Sequence, residues 1–144
     1  MLFNSKDLSF AAGARSPHVF LNDCSRYDLR IEAIKRIRGS NRYNAEALGK
    51  AYLCGTLEKQ MVPTAYIPEL FSRIDWAAYS LAMDQLVVGE IDHLYVAFPC
   101  FHPHDDFSGI ITDPAELPAV LEEIGHVTLI DLGDFIKAKM DGWI

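Results

Sequence analysis

Two histidines and two aspartates fall within five residues, His102-Pro103-His104-Asp105-Asp106, just behind Cys100 and the apolar run Leu94–Phe98. This is the densest group of metal-capable side chains in the sequence. A His-x-His pair on a turning backbone can aim two imidazoles at one ion. A nearby carboxylate then completes a three-ligand zinc site with one position left open. His102, His104 and Asp106 are the candidate ligands, with Asp105 or Asp131 to orient a water or a histidine. Zinc-bound water is acidified toward neutral pH and attacks esters or amides, so the chemistry expected of such a site is metal-dependent hydrolysis. A competing reading needs no metal. The histidines are then surface or hydrogen-bonded side chains, and Asp105 and Asp106 form a turn before Ser108-Gly109, stiffened by Pro99 and Pro103.

Residues 102–109 resemble the His-x-His-x-Asp-His-x-Gly motif of the metallo-β-lactamase superfamily, and Leu117–Glu122 resembles that family's next helix. The resemblance implies a zinc hydrolase, and it departs from the family in three ways. Phe107 stands where the family places a metal-binding histidine. The region upstream reads as helices where the family has β-hairpins. The sequence after Gly109 is too short for the family's second half. Family membership is therefore not assigned.

The elements that must position this loop follow from hydrophobic spacing and stop signals. His18–Asn22 reads as a strand behind the breaker pair Ser16-Pro17. Tyr27–Arg38 reads as a helix with Ile31, Ile34 and Ile37 in one stripe and Gly39 as its stop. Asn44 caps a second helix from Ala45 to about Met61, with Leu53, Leu57 and Met61 in register. After Pro63 and Pro68 comes a helical region from about Glu69 to Val88, bent near Ile74-Asp75-Trp76, whose Ala77, Ala78, Leu81 and Ala82 follow helical spacing. His93–Phe98 and His126–Asp131 read as buried strands. Between them lies a helix announced by Asp113-Pro114 or starting nearer Leu117, and closed by Gly125. Asp134 caps a last helix to about Met140. Strand, helix and strand in succession predict a βαβ unit with parallel strands. The fold class expected is α/β: a single domain over 1–144 with a small parallel or mixed sheet of three or four strands, flanked by helices and helix-rich in the middle. In that geometry Asp131, Asp134 and Cys24 would join the histidine loop at the carboxyl ends of the strands, where open α/β sheets bind ligands.

Other constellations are weaker. Cys100 with His102 or His104, or Cys24 beside Asp23, supplies the residue types of a cysteine nucleophile. Ordinary packing of small, partly buried residues explains these cysteines as well, and Cys54 lies in a core pattern. Gly-x-Gly-x-x-Gly, P-loop and Gly-x-Ser-x-Gly patterns are absent from the sequence, which weighs against common nucleotide and serine-hydrolase chemistry.

Charge divides unevenly. Residues 1–83 hold 11 Lys/Arg and 8 Asp/Glu, residues 84–144 hold 2 and 12, and the whole carries −7. Six of the basic residues run from Arg26 to Arg42, interleaved with Tyr27 and Tyr43, a pattern that can meet phosphates and bases. Asp28 and Glu32 interrupt it, and the acidic total disfavours nucleic acid, so a solvated helix face with internal ion pairs is the expectation. Half the residues are apolar and 23% are charged, a globular composition. No apolar run approaches the ~20 residues of a membrane span, and the N-terminus lacks a secretory pattern. Three widely spaced cysteines fit reduced thiols better than a disulfide framework. A cytoplasmic setting is expected.

The function expected first is a non-enzymatic protein-binding domain, an inhibitor or immunity-type protein whose acidic C-terminal surface meets a basic partner such as a nuclease. Glu116, Glu122, Glu123 and Asp134 are the candidate contact residues, and no cofactor is needed. The alternative is the small hydrolase with a divalent metal such as zinc on His102, His104 and Asp106. The terminal pair Trp143-Ile144 can fold back or enter a second subunit, and the sequence does not choose between these.

Overall fold

The computed structural model describes residues 1–14, 16–27, 29–99 and 107–143, with the backbone alone for 21–24. It is α/β, with small sheets flanked by helices. The chain gathers into two compact units, 1–68 and 69–144. Among the described residues no helix is long and apolar enough to cross a membrane.

The first unit opens with helix α1 (Ser5–Ala11), fixed by a reciprocal capping box. The Asn4 side chain accepts from the Asp7 amide at 3.0 Å, and the Asp7 carboxylate accepts from the Asn4 amide at 2.9 Å. The next element corrects the strand expected at His18–Asn22: α2 spans Pro17–Arg26. Ser16-Pro17 is a helix start rather than a breaker. The Ser16 hydroxyl accepts from the Val19 amide at 3.3 Å, and Pro17 takes the first helical position, where no amide hydrogen is needed.

The expected helix at Tyr27–Arg38 is also corrected. Its last part is strand β1 (Lys35–Ile37), joined to β2 (Ser40–Arg42) as an antiparallel hairpin. Arg38 and Gly39 both have positive φ, 51° and 80°, the signature of a type I′ turn that suits hairpin twist. Gly39 is thus the second turn residue and not a helix stop. Isoleucines three apart carry β preference as readily as a helical stripe, and the turn decides between them.

Asn44 caps α3 (Ala45–Lys59) as expected, accepting from the Ala47 amide at 3.0 Å. Leu48, Leu53 and Leu57 are fully buried in α3, while Met61 lies beyond its end and is exposed. Close approach of α1 needs Gly55: a Cβ there would overlap the Ala12 carbonyl.

The second unit holds most of α4 (Ile67–Ser72), then α5 (Trp76–Val87) and α7 (Leu132–Met140) around a three-stranded sheet. The bend expected near Ile74-Asp75-Trp76 is the break between α4 and α5, where the Asp75 carboxylate accepts from the Ala77 and Ala78 amides at 3.1 Å. The buried face of α5 is Tyr79, Ala82, Met83 and Leu86, and Leu81 faces solvent. The sheet consists of β3 (Tyr95–Pro99), β4 (Ile110–Ile111) and β5 (Val127–Asp131) in the order β4-β3-β5. A 3-10 turn at Pro114–Glu116, capped by Asp113, leads into α6 (Leu117–Ile124), so both expected starts are used in succession.

Strand direction differs from expectation. β5 pairs with β3 antiparallel, Tyr95 opposite Asp131 and Pro99 opposite Val127. The parallel relation is instead between β4 and β5, both antiparallel to β3 and on either side of it. The strand-helix-strand unit is therefore β4-α6-β5, split by the central strand. Asp131, not Asp134, caps α7, accepting from the Asp134 amide at 3.2 Å.

Candidate functional site

The candidate metal ligands His102, His104 and Asp106, with Asp105 and Cys100, lie outside the described residues. Their flanks are described and firmly held. β3 ends at Pro99, whose carbonyl accepts from the Arg73 guanidinium, itself 2.9 Å from the Glu69 carboxylate. On the far side, the Asp75 amide donates to the Ser108 carbonyl at 2.9 Å, and the Ala97 amide donates to the Gly109 carbonyl at 2.8 Å. Phe71 packs edge-on against Phe98 at 6.0 Å, fixing α4 under the strand. The break between α4 and α5 thus braces both sides of the histidine-bearing segment.

Strand direction changes which residues share that end of the sheet. With β5 antiparallel, Asp131 lies opposite Tyr95, about 13 Å along the strand from Pro99. Asp131 and Asp134 therefore lie toward the other end of β5 from the residue that pairs with Pro99, where β3 ends. Cys24 lies on helix α2 of the first unit rather than at the end of a strand. The antiparallel pairing instead brings His126 toward this end, since it precedes Val127, the partner of Pro99. Sequence reasoning placed His126 in a strand but gave it no part in the site, because a parallel strand would have put it at the opposite end. Among the described residues no group of three or more His, Cys, Asp or Glu is placed to hold a metal.

The acidic candidates take clearer form. Glu116 ends the 3-10 turn, Glu122 and Glu123 lie on α6, and all three are exposed. Helical rotation of about 100° per residue gathers Leu117, Val120, Leu121 and Ile124 into one arc, with Glu122 beyond one edge and Glu123 beyond the other. An arc of this kind normally faces a core, yet α6 has no buried residue, and Leu121 is 49% exposed. Asp134 is exposed too, but it stands past the opposite end of β5, in the first turn of α7, where a carboxylate favours the helix N-terminus. Trp143 is 81% exposed.

In the first unit the basic run starts with Arg26 at the end of α2 and its last four residues lie on the β1–β2 hairpin, so it does not form one helix face with internal ion pairs. Tyr27 and Tyr43 are buried, so neither is available to stack on a base. Lys35, Arg36 and Arg38 are exposed, together with Ile34 and Ile37. A recess of about 300 Å³ lies beside the start of α3, lined among others by Arg30, Glu32, Asn44, Glu46 and Lys50. Lys50 donates to the Arg30 carbonyl at 3.0 Å. Burial disfavours its ammonium and lowers its pKa, while Glu46 and Glu32 oppose the shift.

A buried cluster was not read from the sequence. The Tyr27 hydroxyl is hydrogen-bonded to Glu58, and the Cys54 thiol lies 3.5 Å from Glu58 Oε1. The Arg26 guanidinium sits 5.1 Å from the Tyr27 ring centroid. Burial, reinforced by Glu58, pushes the Tyr27 pKa up to about 12. The four-residue spacing of Cys54 and Glu58 on α3 was a legible signal, but nothing local pointed to Tyr27. With Cys54 and Tyr27 almost wholly enclosed, the cluster ties the end of α2 to α3 and presents no reagent-accessible thiol.

No protein-family model, curated protein or solved structure matches this chain.

Proposed function

We propose that this protein is a non-enzymatic binding domain, an inhibitor or immunity-type protein of the cytoplasm, that docks a basic protein through α6 and the turn before it. One observation carries the reading: an amphipathic helix with no buried residue and a half-exposed leucine between exposed carboxylates. Monomeric folds bury such an arc, and when one of its residues stays half exposed beside charge it suits a partner that brings apolar contact and opposite charge together. The excess of acid over base in residues 84–144 extends the negative field around it and would speed encounter with a cationic surface.

The test is binding to a set of basic proteins, a ribonuclease, a DNase and a histone, across an ionic-strength series. The Glu122→Lys/Glu123→Lys variant is expected to lose at least tenfold in affinity for any of these that the wild type binds. Asp84→Lys/Glu90→Lys makes the same change in net charge at exposed positions on α5 and just after it and should retain binding. Equal losses in the two variants would reduce the effect to net charge and end the proposal.

A further inference from the structure

The same chain carries a surface complementary to α6. In the β1–β2 hairpin the register pairs Lys35 with Arg42 and Ile37 with Ser40, so Lys35, Ile37 and Arg42 share one face. Ile37 is 37% exposed next to the cross-strand pair Lys35 and Arg42, and Arg38 follows it at the turn. On α6, Leu121 is 49% exposed in an apolar arc that has Glu122 beyond one edge and Glu123 beyond the other. Each feature is an apolar side chain flanked by like charges, and the two signs are opposite.

We infer that the basic partner of α6 is a second copy of this chain, which docks its β1–β2 hairpin there. The inference rests on the docking role proposed above for α6 and adds the identity of the occupant. Such a contact is heterologous, joining two different patches, so each added copy leaves one free hairpin and one free α6 and association is open-ended. A short hairpin on a two-turn helix buries far less than the ~1,200 Å² of the smallest stable interfaces. Self-association should therefore be weak and concentration-dependent. It should also fade as the screening length falls from about 10 Å at 0.1 M salt to about 3 Å at 1 M.

Sedimentation velocity of the full chain over a hundredfold concentration range, at low and high salt, tests this. Wild type should show a rising weight-average mass at low salt that returns to monomer at high salt. Lys35→Glu/Arg38→Glu alone and Glu122→Lys/Glu123→Lys alone should each stay monomeric. Their equimolar mixture should regain association, because the reversed hairpin of one variant meets the reversed helix of the other. Circular dichroism matching wild type establishes that each variant folds. A wild type monomeric throughout, or a mixture that stays monomeric while wild type associates, overturns the inference. Polylysine binding then separates the two ideas. Binding lost on Glu122→Lys/Glu123→Lys but kept in Asp84→Lys/Glu90→Lys leaves α6 a docking face for a different basic protein. Binding unaffected by either pair removes the docking role as well.

Discussion

Replacing Tyr27 with phenylalanine should change how stability depends on alkaline pH. In the folded chain the hydroxyl titrates near 12, against 10 for an exposed tyrosine, because burial and then Glu58 disfavour the phenolate. Below pH 10 the group is neutral whether the chain is folded or not, and its folded contacts count in full. Above pH 10 the unfolded chain gives up the proton first. Stability contributed by the neutral hydroxyl is therefore lost as pH rises toward 12. Two pKa units correspond to about 3 kcal/mol, of which about half is gone by pH 11. At neutral pH, Tyr27→Phe should cost about 1 kcal/mol, the usual net value of one hydrogen bond. Urea denaturation at pH 8 and pH 11 measures both effects. The wild type should lose more stability than the variant between these values, so that the two curves converge. The difference in tyrosinate absorbance between the proteins, followed against pH, reports the titration directly. An alkaline loss identical in the two proteins, or a difference spectrum centred near pH 10, would refute the reasoning.

Gly55→Ala forces a methyl group onto the Ala12 carbonyl. It should destabilise by about 1–3 kcal/mol in urea melts, since α1 must move off α3; an unchanged midpoint would show the close approach to be unimportant. Asp75→Ala removes the acceptor for two amides at the start of α5. It should cost about 1 kcal/mol, with Asp75→Asn keeping most of the stability, and equal losses in both would discredit the cap. Gly39→Ala places a side chain at φ 80° in the hairpin turn and should destabilise the hairpin by about 1 kcal/mol. Hydrogen exchange at the Ile34 amide, bonded 2.8 Å from the Arg42 carbonyl, should accelerate about fivefold, and an unchanged rate would contradict this.

The parts of the fold legible in the sequence are those set by local chemistry. Asn44 and Asp113 are short polar residues placed just before helical segments, and each accepts the amide bond expected of it. The strands around Val96 and Ile130 show as apolar runs; β3 is buried as expected, whereas in β5 only Ile130 is buried and Leu129 is 41% exposed. What failed depended on the local context of ambiguous signals. Ser16-Pro17 stops one element as readily as it starts another, and the helical continuation decides it. Ile31, Ile34 and Ile37 fit helical spacing, but Arg38-Gly39 turns the chain into a hairpin. Strand direction was hidden because β4 is two residues long, too short to register as a strand, yet it is the true first strand of the βαβ unit. The candidate site was legible in composition, the exposed carboxylates of α6, but not in its apolar exposure. Nothing in Leu121 itself shows that the fold leaves it half exposed.

The split arrangement of the three strands also sets the order in which the second unit can be completed during synthesis. Its central strand, Tyr95–Pro99, first meets only the two residues of Ile110–Ile111, and a ribbon of two strands is marginal in water. Five further pairings, from Pro99 opposite Val127 to Tyr95 opposite Asp131, become possible only after α6 has been made. A nascent chain halted before Val127 would hold an apolar strand with one side open, while the first unit is already whole in sequence. On the ribosome, then, residues 1–68 can settle early, and the segment bearing Val96, Ala97 and Phe98 waits for its last partner.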